Sequence, residues 1–145
     1  MHRLILIPLF IVCSTFAQVS AADVFVALNK SNSATITEES LLKILKAEQL
    51  VWENGNSVFL MIDSLETTSS QDFDEVLNMS KSQFMEFWRI KFFSGRALIP
   101  KQIKNESNAL TILSENKNGI YVSIGKSIRN EISNNPDLKV INLKY

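Results

Sequence analysis

From Asp23 onward, short apolar runs alternate with stretches in which apolar residues return every three or four positions. Asp23-Val24-Phe25-Val26-Ala27-Leu28 and Ser57-Val58-Phe59-Leu60-Met61-Ile62 are rich in β-branched and aromatic residues, which predicts two strands buried on both faces. Ile120-Tyr121-Val122, after the Asn118-Gly119 turn, and Lys139 to Leu143, after Asn134-Asn135-Pro136-Asp137, predict two more. Thr37 caps a helix with Glu38 and Glu39 in its first turn and Leu41, Leu42, Ile44 and Leu45 on one face. Ser69 or Ser70 caps a second, with Asp72 and Asp74 early and Phe73, Val76 and Leu77 facing in. Ser80-Lys81-Ser82-Gln83 is a capping-box pattern that opens an aromatic helix carrying Phe84, Phe87, Trp88, Phe92 and Phe93, mainly a core face. Ser94-Gly95-Arg96 ends that helix, with Pro100 just beyond, and Ser107 to Asn116 predicts a fourth helix. Strands alternating with helices predict an α/β layer, a mostly parallel sheet flanked by helices.

The residues before Asp23 follow another pattern. Arg3 supplies a positive charge, Leu4 to Val12 is apolar apart from Pro8, and small and polar residues lead to Ser20-Ala21-Ala22. That order predicts a secretory signal peptide over 1–22, cut after Ala22, with Ala21 and Ala17 as other sites. The apolar run is shorter than the roughly 20 residues a membrane span needs. Val12 before Cys13 is not the small residue a lipid attachment signal uses, so no permanent membrane anchor is expected. The expectation is export to the periplasm and one domain over 23–145.

Composition narrows the chemistry. Of 145 residues, 15 are basic and 15 acidic, which leaves no basic footprint for nucleic acid. Removing 1–22 leaves 14 basic and 15 acidic residues, and removes the only His, His2, and the only Cys, Cys13. A chain with neither makes no Cys or His zinc site, no haem-histidine ligand, no Ser-His-Asp triad and no disulfide. No two acids are forced together by spacing, as a carboxylate hydrolase requires. Binding without catalysis, metal or cofactor is therefore the expectation.

In an open α/β sheet, ligands sit beyond the carboxyl ends of the strands. Two polar loops fall there on this reading. Asn29 to Ser33 follows the first strand. Asp63 to Ser70, with Ser64, Thr67, Thr68, Ser69 and Ser70, follows the second and runs into a helix start. Free backbone N–H groups and hydroxyls at such a start suit an anion; the same hydroxyls also suit simple helix capping. Asp63 fits an anion that carries a proton, favouring monohydrogen phosphate over sulfate, and equally fits a solvated turn. Arg96, with the guanidinium fork that matches phosphate and Gly95 beside it, is the cationic candidate; a surface arginine at a helix end is the other reading. Asn29-Lys30-Ser31, Asn78-Met79-Ser80 and Asn105-Glu106-Ser107 fit the glycosylation pattern, which often arises by chance.

These motifs, taken in order, resemble the short phosphate-binding-like proteins, single-lobe relatives of the periplasmic phosphate-binding component of ABC uptake systems. The resemblance rests on Asn29 to Ser33, Trp52-Glu53-Asn54-Gly55, Thr67 to Phe73, Phe87-Trp88, Phe93-Ser94-Gly95-Arg96, Pro100 and Gly119-Ile120-Tyr121-Val122. It implies a periplasmic-binding-protein-like, type II, single lobe that captures phosphate or a similar oxyanion without catalysis. Ser31, Ser33, Ser69 and Ser70 would donate hydrogen bonds, Asp63 would accept one and Arg96 would supply charge. It also implies a membrane permease or sensor as partner. The alternative of another class is a ligand-free protein-interaction module of the same fold, serving an envelope sensor or transporter.

Overall fold

Parity along each strand decides which layer its side chains join. The computed structural model describes residues 21–125, 132 and 134–145. The expected signal peptide up to Ser20 lies outside them. In β1 (Asp23–Asn29), Val24, Val26 and Leu28 point to one face and Phe25 and Ala27 to the other. Likewise β2 (Phe59–Asp63) sends Leu60 and Ile62 one way and Phe59 and Met61 the other. The first face is covered by α1 (Glu38–Leu45), α2 (Ser70–Leu77) and α3 (Lys81–Phe93) through Leu41, Ile44, Phe73, Leu77, Phe84 and Trp88. The second is covered by α4 (Glu106–Glu115) through Ala109 and Leu113. The strands read as near-continuous apolar runs because both faces are buried.

The five-stranded sheet has the order β3-β2-β4-β1-β5, where β3 is Lys101–Ile103, β4 is Gly119–Ile124 and β5 is Leu138–Lys144. It is mixed, which corrects the mostly parallel sheet expected. β2 is parallel to β3 and β4, but β1 is antiparallel to both β4 and β5. Apolar periodicity shows that a helix follows a strand; it does not show to which end of the sheet the chain returns. After β1 the segment 30–37 climbs the molecule, held where Lys139 Nζ donates to Asn32 O at 3.1 Å and Ala34 O at 2.6 Å. Tyr145, just past β5, then donates its hydroxyl to Glu38 O at 3.1 Å, at the start of α1.

This direction defines two ends. At the rim, β2, β3, β4 and β5 finish and β1 begins; at the foot, β1 finishes and the others begin. β3 was not expected, because three residues after Pro100 with only Ile103 buried carry no readable pattern. β2 starts at Phe59 rather than Ser57, since Val58 N–H donates to Leu50 O at 2.9 Å and Ser57 bridges Val51. α4 starts at Glu106 because Asn105, not a later residue, is its cap. Among the described residues, no helix is long and apolar enough to cross a membrane.

Candidate functional site

At the rim, two of the residues expected to hold an anion, Asp63 and Ser69, are bonded within the chain. Asp63 continues the odd-numbered face of β2, and Tyr121 and Ser123 occupy the matching face of β4. The Tyr121 hydroxyl donates to Asp63 Oδ1 and the Ser123 hydroxyl donates to Oδ2 at 2.5 Å. Asp63 is 7% exposed, so it is not a solvated turn residue; its carboxylate ties β2 to β4. Burial, reinforced by the hydrogen bond to Asp63 and its charge, holds the Tyr121 phenol protonated well above the ordinary tyrosine range. Tyr121 and Ser123 were not singled out from sequence. Strand parity was the available signal: extending β2 to residue 63 puts its side chain inside.

The loop after Asp63 is closed in the same way. The hydroxyls of Thr67 and Thr68 both donate to Ser64 O at 3.1 Å, and Leu65 N–H donates to Gln102 Oε1 at 3.1 Å. Lys81, the first residue of α3, donates to Leu65 O at 2.7 Å and also to Thr68 O. Ser69 is the cap of α2 and accepts from Asp72 N–H at 3.3 Å, while Ser70 is exposed. Asp72 packs against Gly125 at the finish of β4, where φ is +71° and any side chain would collide with that carboxylate. The hollow beside Asp63 has a volume of about 10 Å³, room for at most one water.

The other expected donors are elsewhere. Because β1 runs against its neighbours, Ser31 and Ser33 follow its foot end, away from Asp63, Ser69 and Ser70. Ser31 donates its N–H, at 2.9 Å, and its hydroxyl, at 2.7 Å, to Asn29 Oδ1. Asn29 Nδ2 donates to Leu113 O at 3.0 Å and Asn32 Nδ2 to Lys117 O at 3.1 Å, both near the start of β4. Asn29 is buried, so its glycosylation pattern is a structural turn. Arg96 is also at the foot: α3 descends from Lys81 at the rim, and Arg96 N–H donates to Lys91 O at 2.9 Å past its end. The six residues expected to form one constellation therefore fall in separate places, and only Asp63, Ser69 and Ser70 share the rim.

Arg96 instead borders a groove of about 330 Å³ between the ends of α1 and α3 and the start of β2. Its floor is apolar, formed by Ile44, Leu60 and Trp88. Trp88 is fixed by its indole N–H, which donates to Leu45 O at 3.1 Å, and by an edge-on contact with Phe87 at 6.1 Å between ring centres. Leu98 and Ile99 form one wall, after Gly95 reverses the chain at φ +70°. The core-face reading of α3 holds for Phe84 and Trp88 and fails for Phe92 and Phe93, which are 43% and 78% exposed. Ile90, Leu98, Ile99 and Val51 are exposed as well, at 61%, 73%, 38% and 53%. These six are all the exposed large apolar residues among the described ones. Between 85 and 104, five basic residues face one acid, Glu86.

No known family model matches the sequence, and no curated protein matches it. Among solved structures, the chain is similar to an ABC-type phosphate transport receptor from Vibrio cholerae, with 14% identity and a TM-score of 0.48. The match covers 84% of this chain and 46% of that one, so this chain spans less than half of the receptor.

Proposed function

We propose that the protein is an exported, non-catalytic binding module, a single lobe of the type II periplasmic-binding kind, that docks a partner protein at the foot of its sheet. One observation carries this reading. The exposed large apolar residues among the described ones fall in 90–99 and at Val51, and three of them, Phe92, Leu98 and Ile99, line one groove. Apolar surface concentrated in this way marks an interaction site, whereas singly scattered residues do not. The partner class that the family resemblance implies is a component of an envelope sensor or transporter. In-cell crosslinking tests the reading, with a photoreactive residue placed at position 98 or at position 70. A discrete adduct from position 98 and none from position 70 is expected; an adduct from position 70 alone contradicts it.

Oxyanion capture is the second reading, and one feature of the rim favours it. The N–H groups of Ser70 and Gln71, in the first turn of α2, have no acceptor among the described residues and stand beside the Ser69 and Ser70 hydroxyls. Asp72 close by and the buried Asp63 charge work against it. Titration calorimetry with phosphate and sulfate decides the matter. On this reading, heat with phosphate would vanish in the Ser69→Ala, Ser70→Ala double variant and survive in Arg96→Ala.

A further inference from the structure

Resting on the docking reading, we infer that the occupant of the groove is an acidic segment of a partner protein that inserts one or two large apolar side chains. The volume, about 330 Å³, lies at the small end of natural binding pockets, which run from about 300 Å³ upward. Its floor is recessed: Trp88 is 2% and Ile44 1% exposed, while Leu98 on the wall is 73% exposed. A flat lipid surface would reach the wall and not the floor, whereas a protruding side chain reaches both.

Charge selects the flanks of that segment. Arg96 borders the groove, and Lys91, whose carbonyl accepts from Arg96 N–H, lies with its amine 5.2 Å from the Phe87 ring centre. The single acid of this stretch, Glu86, is already paired with Arg89 at 3.2 Å. Arg96, Lys101 and Lys104 make no ion pair with any described residue. Between 85 and 104 the chain carries five bases against one acid, whereas 23–84 carries four against ten. A symmetric dimer through the same face would set that surplus against itself, because the two patches of such an interface are identical. Carboxylates flanking an apolar anchor complement the patch and steer approach to it.

The test is panning of a random peptide library on the purified protein, followed by calorimetry of the enriched peptides. The expected result is enrichment of peptides that combine Leu, Phe or Trp with two or more acids. Their affinity falls with salt, and it drops about tenfold or more in Arg96→Glu and in Leu98→Asp. Both side chains are exposed, so thermal melts of the two variants stay close to the parent. Enrichment of apolar peptides without acids, sensitive to Leu98→Asp alone, overturns the acidic occupant and leaves the docking reading standing. Binding to vesicles rich in anionic lipid, or a reversible dimer in sedimentation, with no peptide enriched, overturns it in favour of that occupant. Silence in all three assays, together with no adduct from position 98, overturns the docking reading itself.

Discussion

At the rim, the hollow beside Asp63 measures about 10 Å³; at the foot, the groove beside Arg96 measures about 330 Å³. The rim is dense in hydroxyls, and most of them, with the Asp63 carboxylate, are engaged within the chain. Thr67 and Thr68 bond to Ser64 O, Ser69 caps α2, and Tyr121 and Ser123 bond to Asp63. At the foot, Asn29, Ser31, Asn32 and Lys139 are bonded within the chain as well, while Arg96 beside the groove makes no ion pair with any described residue. A local surplus of polar atoms therefore locates the strongest internal bonding, and the residues without internal partners locate the surface open to another molecule. Beside the groove those residues are Arg96 and the apolar side chains of Phe92, Leu98 and Ile99.

The comparison breaks first at Asp63. Asp63→Ala leaves two buried hydroxyl donors without an acceptor, at about 1–3 kcal/mol each, so chemical denaturation should show a loss of about 2–6 kcal/mol. Tyr121→Phe should cost about 1 kcal/mol, and the double variant should fall short of the sum because the two groups share one bond. A loss under about 0.5 kcal/mol in Asp63→Ala would mean the rim is not internally bonded as described.

Alkaline titration sharpens the same contrast. The phenols of Tyr121 and Tyr145 are both raised, Tyr121 by burial and Asp63, and Tyr145 to about 12 by burial and then the charge of Glu38. A raised acid holds its proton more tightly in the folded state. Its contribution is complete below the unfolded tyrosine value, near 10, and is lost as pH rises through the folded one. Melting temperature should therefore fall steadily above about pH 10, and the slope should be shallower in Tyr145→Phe.

The smallest stability effect belongs to the foot. Leu98→Asp and Phe93→Ser should change folding stability by no more than about 0.5 kcal/mol, since both side chains face solvent in the isolated chain. A loss above about 2 kcal/mol in either would show that these residues belong to the core and would remove the exposed patch from the account.

What was legible in the sequence follows from the range of the forces involved. Thr37, Ser80 and one of Ser69 and Ser70 were read as caps because capping acts within three residues; Thr37, Ser69 and Ser80 each accept from the backbone N–H three positions on. The direction of β1 was not legible: it depends on pairings with Ile120–Ile124 and Leu138–Lys144, about a hundred positions away, and with it went the placement of Ser31 and Ser33. Asp63 was read as a loop residue because it is charged, although parity with Phe59 and Met61 already put it inside. Phe92 and Phe93 looked like core because the aromatic spacing from Phe84 continues through them. Their exposure depends on where α3 runs past its neighbours, which no local pattern records.

The most direct measurement is covalent footprinting of the protein, purified and then in the envelope fraction to which the proposed export would deliver it. The account predicts strong protection of Phe93, Leu98 and Ile99 in the envelope and unchanged labelling of 65–71. Protection confined to 65–71, with the foot labelled equally in both settings, would contradict it and return function to the rim.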